Sequence, residues 1–186
     1  MSKKIVTPAG MVSFPAIFEP NRFDETAKPK YSITLAFKKA YVDITPLRGA
    51  IKSAVVEKWG QDRSKWPVNL RKIDFDTYLS PTGRDGWPLR DGDEQGRPEY
   101  EGAVTVKFSS TRKPLVYGRG LNILSDQESE EIYPGCFCRV QAAAYAYDVS
   151  GSKGVSFALD AVQKIADGER IGGPAVLFTV EEEPPF

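Results

Sequence analysis

The chain has 186 residues, with 41% of them apolar, 30 glycines and prolines together, 25 bases, 25 acids and no histidine. That length fits one decorated domain with a real core, and the glycine and proline content points to turn-rich β structure. The missing histidine excludes Ser-His-Asp and Cys-His nucleophiles and the commonest general base. The lack of any long apolar run leaves no segment to span a membrane. The short apolar patch behind Lys3 and Lys4 is broken by Pro8 and has no signal-peptide core, so a cytoplasmic protein is expected.

The first expected strand runs from Met11 to Phe18. The second, Tyr31 to Lys39, alternates cleanly, with Tyr31, Ile33, Leu35 and Phe37 on one face. The Glu-Pro-Asn-Arg turn signal between them predicts a hairpin with a long loop. Ile44 to Trp59 reads as a helix: Thr45 can cap it, Pro46 suits its first position, and Gly60 stops it. Leu47, Ile51, Ala54, Val55 and Trp59 make its apolar stripe.

Residues 61–101 show little periodicity, and forty such residues inside a small domain suggest a functional insertion. Its tryptophans should pack it on the barrel, where it would flank a ligand. Ala103 to Ser109 is the next strand, with Val104, Val106 and Phe108 inward and Lys107 outward. A basic turn leads to a short strand from Leu115 to Tyr117, and an acidic helix or loop covers Ser125 to Glu131. Cys136 to Tyr147 is a long strand. Past the Ser150-Gly151-Ser152 turn, Val155 to Ile165 is another, with Val155, Phe157, Leu159 and Ala161 sharing a face. About six strands and one main helix fit a small antiparallel barrel of the OB type, with a β-sandwich as the other arrangement. The two cysteines of the C-x-C pair, Cys136 and Cys138, read as small buried thiols; with no histidine to complete a site, no metal and no cofactor is expected.

Net charge is zero, but the charge is segregated. Residues 1–72 carry +8, residues 73–101 carry −5, residues 102–124 carry +4, and residues 125–135 carry −4. A basic groove can therefore coexist with neutrality. One face of the long strand reads Cys136, Cys138, Val140, Ala142, Ala144, Ala146, suited to close packing. The other reads Phe137, Arg139, Gln141, Ala143, Tyr145, Tyr147 and interleaves rings with a cation and an amide. Unpaired nucleotides need that mixture, because bases stack on rings and phosphates meet cations. Lys38 and Lys107 project from the polar faces of their strands, and Arg112, Lys113 and Arg119 bracket Tyr117 around a turn. The expected DNA contacts are therefore Lys38, Lys107, Arg112, Lys113, Tyr117, Arg119, Phe137, Arg139, Tyr145 and Tyr147.

The domain is expected over 1–174, with a flexible acidic tail over 175–186. Glu181, Glu182, Glu183, Pro184, Pro185 and Phe186 are too polar and proline-rich for a core element, yet end in a large apolar ring. Such an end suits a partner's apolar pocket rimmed with bases.

That ending resembles the acidic, Pro-Phe tip of bacterial single-stranded-DNA-binding protein and the acidic, Phe-ended tails of its T-odd phage counterparts. The wider chain resembles a family of phage OB-fold single-stranded-DNA-binding proteins. The resemblance rests on Lys65-Trp66-Pro67, Pro88-Leu89-Arg90-Asp91-Gly92-Asp93-Glu94, Tyr133-Pro134-Gly135-Cys136, and Ala144-Tyr145-Ala146-Tyr147 continuing to Lys153-Gly154-Val155-Ser156-Phe157. It implies sequence-independent binding of single strands and recruitment of replication or recombination proteins through the tail; a homo-oligomer stays open, since the sequence does not give the oligomeric state. The acidic run is short, at three glutamates, so autoinhibition by charge alone would be weak. Two other readings compete. One is a metal-dependent phage nuclease using Asp74, Asp76, Asp85, Asp91, Asp93 and Glu94; the other is a β-barrel virion protein.

Overall fold

The computed structural model describes residues 3–22 and 24–172. The expected tail, 175–186, lies outside the described residues. Eight strands form one sheet: β1 (Lys4–Val6), β2 (Gly10–Asn21), β3 (Lys30–Lys38), β4 (Arg90–Asp91), β5 (Ala103–Ser110), β6 (Leu115–Tyr117), β7 (Phe137–Val149) and β8 (Ser152–Ala166). The order β7-β2-β3-β5-β8 closes on itself through the β7–β8 pairing, with β1 and β6 added outside and β4 pairing β5. A closed ring of five strands rules out the sandwich. It departs from the expected wholly antiparallel barrel at one seam, since β5 and β8 run parallel through Phe108↔Phe157 and Ser109↔Ala158. Antiparallel hairpins join β2 to β3 and β7 to β8, whereas the chain between β5 and β8 must cross the barrel and return in the same direction.

The β7–β8 hairpin turns at Ser150 and Gly151, both at positive φ (51° and 83°), the two-residue geometry that matches strand twist. Two bulges interrupt its ladder, where β8 carries one extra residue opposite Gln141–Ala142 and another opposite Phe137–Cys138. The first of these corrects the expected inner face of β8. Val155, Phe157 and Leu159 are buried, but beyond the extra residue the parity shifts and Val162, not Ala161, enters the core. β7 keeps its alternation: Cys138, Val140, Ala142 and Ala144 are buried, while Phe137, Arg139 and Tyr145 are exposed. The two thiols are free and buried, with Sγ atoms 3.9 Å apart.

Helix α1 (Thr45–Trp59) buries Leu47, Ile51, Ala54 and Val55 against β7, β1 and β8. Its start corrects the expected Thr45 cap. Ile44 occupies the capping position without a side-chain bond, and the Asp43 carboxylate instead accepts from the Thr45 backbone N–H at 2.9 Å. Gly60 ends it at φ 83°. Residues 61–101 are less irregular than their sequence suggests, with short 3-10 turns, a one-turn helix α2 (Val68–Arg71) and β4. Trp66 stacks on Phe75, and Phe75 meets Trp87 at a tilt, with ring centroids 5.2 and 4.9 Å apart. Trp66 Nε1 donates to the Gly60 carbonyl and Trp87 Nε1 to the Tyr78 carbonyl, so each buried indole is satisfied. The tryptophans therefore fasten the insertion to the domain.

Candidate nucleic-acid interface

The outer faces of β3 and β5 carry Thr34 opposite Lys107 and Ala36 opposite Thr105. The insertion does not lie flat on this face. Its 83–97 stretch rises beside it, leaving a cleft of about 490 Å³. Thr34, Thr105 and Lys107 belong to the floor; Arg84, Arg90 and Arg97 come from the insertion; Tyr147, Val155 and Ser156 come from the β7–β8 hairpin; Phe14 comes from β2. A second depression of about 520 Å³ shares Arg84, Gly86 and Tyr147 with the first and continues along the hairpin to Lys153. The two make one path over the barrel.

The path depends on a tight backbone contact. Gly86 sits at φ 80°, and a side chain there would reach within 2.5 Å of the Lys153 carbonyl. With only hydrogen at this position, the Gly86 carbonyl accepts from the Val155 N–H at 2.9 Å, and Asn69 Nδ2 bonds the carbonyls of both Asp85 and Lys153. The same turn is held by Asp85, whose carboxylate accepts from the Tyr78 hydroxyl and the Trp87 N–H. That bond, aided by burial, pushes the Tyr78 phenol up to about 12.

Among the described residues no Asp or Glu lines the first cleft. Among the described residues Arg84, Arg90 and Lys107 have no ion-pair partner, and Arg97 meets only Glu99, at 3.6 Å. Some cations elsewhere are neutralised, Lys39 by Asp91 and Asp93, Lys113 by Asp126, Arg119 by Asp167, and Lys164 by Glu131 and Asp167, so the cleft is distinguished by gathering unpaired cations without an acid among its described lining residues. Phe14 gives the cleft an exposed ring at φ 47°, an unfavourable backbone for an aromatic residue, in a bulge of β2 between Ser13 and Ala16. Arg97 stacks over that ring, 4.7 Å from its centroid. The strained, exposed ring thus shares one cleft with Arg84, Arg90 and Lys107.

The residues expected to touch DNA separate into two groups. Lys107 and Tyr147 line the cleft, and Tyr145 adjoins it on the same face of β7, opposite the cleft residue Ser156. Burial, then the neighbouring Tyr145 and Asp85, raises the Tyr147 phenol above its ordinary value. Lys38 lies on the same outer face of β3, but its amine is bonded to the Glu101 carbonyl at 2.8 Å. The others lie toward the middle and far end of β7. Arg139 donates to Gln163, which faces Tyr117 across β6–β8; Arg119 pairs with Asp167; Phe137 abuts Gly168; Arg112 and Lys113 lie in the 111–114 turn, with Lys113 bound to Asp126 at 2.5 Å. They do not form one surface with the cleft, because Phe137 and Tyr147 are ten residues apart on an extended strand, about 33 Å at ~3.3 Å per residue.

Sequence reasoning missed Phe14, Arg84, Arg90 and Arg97. The three arginines are all the bases of an acidic segment, and its net charge masked them. Several carboxylates there are engaged in folding: Asp74 accepts from the Asp76 N–H, Asp85 holds Tyr78, Asp91 and Asp93 both bind Lys39, Asp91 caps its own turn, and Asp93 accepts from the Gly102 N–H. Among the described residues no cluster of three such groups is placed to hold a metal ion, and no helix is long and apolar enough to cross a membrane.

Residues 3–178 match the family model described as Enterobacter phage Enc34, ssDNA-binding protein. Protein p50 of Acyrthosiphon pisum secondary endosymbiont phage 1 is 31% identical over 172 residues, covering 92% of this chain and 87% of that protein. The single-stranded DNA-binding protein from bacteriophage Enc34, solved in complex with ssDNA, has the same fold with a TM-score of 0.71, at 22% identity over 91% of this chain and 89% of that one. The gp2.5 single-stranded DNA binding protein of bacteriophage T7 also shares the fold, with a TM-score of 0.62, at 14% identity over 93% and 91% of the two chains.

Proposed function

The chain belongs to the family of the ssDNA-binding protein of Enterobacter phage Enc34, and on that premise we propose that it holds an unpaired DNA strand, without base preference, in the acid-free cleft over β3 and β5. A member of a family defined by binding DNA is a binding protein and not an enzyme. Phe14 and Tyr147 are the stacking rings at the two ends of the first cleft. Lys107, Arg84 and Arg97 neutralise the backbone as it passes, and Lys153 continues the path along the hairpin. In a five-stranded barrel of this type the second and third strands and the hairpin between the last two are the usual oligonucleotide surface. Here those elements are β3, β5 and the β7–β8 turn.

One observation carries the reading: Arg84, Arg90 and Lys107, without an ion-pair partner among the described residues, line a cleft in which no described carboxylate stands, together with the strained exposed ring of Phe14. Such charges are costly to hold together, and an arriving polyanion relieves that cost. The biological setting is phage DNA replication or recombination, where the protein covers exposed single strands. Glu181, Glu182, Glu183, Pro184, Pro185 and Phe186 then recruit other proteins by offering an apolar ring beside acidic residues.

The test is a salt titration of oligonucleotide binding by fluorescence anisotropy. Short single strands should bind well ahead of the matching duplex, with log affinity falling by ~0.7 per neutralised phosphate for each decade of salt. Equal affinity for duplex would overturn the reading. A chain ending at Val180 should bind DNA as the full chain does but lose capture of replication proteins. Unchanged capture would remove the tail from the scheme.

A further inference from the structure

We propose that Arg90 is a pre-formed seat for one phosphodiester of the bound strand, distinct in kind from the mobile cations around it. The proposal rests on the reading of the cleft as a DNA groove and specifies how the backbone is fixed there. Arg84, Arg97 and Lys107 are exposed and can follow a phosphate wherever it falls. Arg90 cannot. It belongs to β4, paired with Thr105 of β5 and bridged to Ser80 on its other side, so its backbone is locked into the sheet. Its side chain lies under Gly83, where even one added carbon would sit 3.0 Å from Cδ and 3.1 Å from Nε.

Its Nε is shielded from solvent and has no hydrogen-bond partner within the protein, the one side-chain nitrogen or oxygen among the described residues so placed. Among the described residues no ion pair involves its guanidinium. A shielded donor on a permanent cation is costly to leave unmet. Because Nε is closed off under Gly83, what the fold can offer the cleft is the rest of the guanidinium, on a side chain that lines it. A guanidinium fork matches a tetrahedral anion with two non-bridging oxygens, and a phosphodiester is the anion that a nucleic-acid groove supplies.

The test compares wild type with Arg90→Met and Arg90→Lys, using an oligonucleotide no longer than the measured site and inorganic phosphate as a second probe. Arg90→Met should weaken oligonucleotide binding about 10-fold and lower the salt slope by ~0.7, one phosphate. Arg90→Lys should keep the slope but still bind several-fold more weakly, because the charge remains and the fork is lost. Without DNA, Arg90→Met should melt no lower than wild type, since it removes an unmet donor. Inorganic phosphate should raise the melting temperature of wild type more than chloride at equal ionic strength does, and should leave Arg90→Met unmoved. If phosphate stabilises wild type but oligonucleotide affinity is unchanged in Arg90→Met, the seat takes free phosphate and the proposal fails. If wild type binds single strands and both variants match it in affinity and slope, the seat fails while the groove stands. If wild type binds no single strand at all, the groove itself fails.

Discussion

The two ends of β7 present the same residue types to solvent and differ in what surrounds them. At one end Tyr145 and Tyr147 stand beside Lys107, Arg84 and Arg90, none of which has an ion-pair partner among the described residues. At the other end Phe137 stands beside Arg139, which is bonded to Gln163, and Arg119, which is paired with Asp167. A strand face that interleaves rings and cations is therefore not yet a nucleic-acid surface. What makes it one is whether the fold has already supplied the cations with partners.

The largest effect should come from reversing charge. Lys107→Glu places a carboxylate in the acid-free cleft and should weaken single-strand binding about 100-fold at low salt, because like charges brought together cost several kcal/mol. Arg139→Glu should change affinity less than 3-fold. Anisotropy titrations of the two variants at one salt concentration decide it, and equal losses would merge the two ends into one binding surface.

Removing one ring at each end should separate them by less. Stacking contributes about 1–3 kcal/mol per base, so Tyr147→Ala should cost roughly 10-fold in affinity. Phe137→Ala should leave affinity within 2-fold, since that ring packs beside Gly168 and its neighbour Arg139 is already bonded to Gln163. A Phe137→Ala loss as large as that of Tyr147→Ala would show that the strand wraps the full length of β7.

The barrel was largely legible because its signals are local. Alternation in β3, β5 and β7, the stripe of α1 and the Ser150-Gly151 turn each announce themselves within a dozen residues. The site was half legible for the same reason. Lys107 and Tyr147 follow from alternation in regular strands, but Phe14 does not. Period-two counting puts it on the inner face with Val12, and only the β2 bulge turns it outward. The same failure moved Ala161 out of the core and Val162 in. Arg84, Arg90 and Arg97 were hidden differently. A segment's net charge says nothing of which acids are consumed as caps and which bases are left over, and that division is settled by contacts between residues distant in sequence, such as Lys39 with Asp91 and Asp93.

The smallest effect concerns pH and pulls the two ends apart in opposite directions. At the cleft end, the Tyr78 phenol is raised from its ordinary 10.0 to about 12 by its bond to Asp85, the residue that positions the Trp87 turn. A group raised in the folded state stabilises fully below its unfolded value, so this bond should hold up to about pH 10 and be lost as pH rises through about 12. At the other end, the Asp167 carboxyl is held below its ordinary 3.8, first by Lys164 and then by Tyr133. Its contribution is present above 3.8 and lost as pH falls through the lowered value. Tryptophan emission should therefore shift between pH 10 and 12 as the cleft wall loosens, because Trp87 Nε1 is bonded to the Tyr78 carbonyl. Tyr78→Phe should flatten that shift, and Asp167→Asn should not touch it. A Tyr78→Phe protein that keeps the full alkaline shift would mean that the Asp85 bond does not hold the wall, leaving the Gly86–Val155 contact to position the cleft on its own.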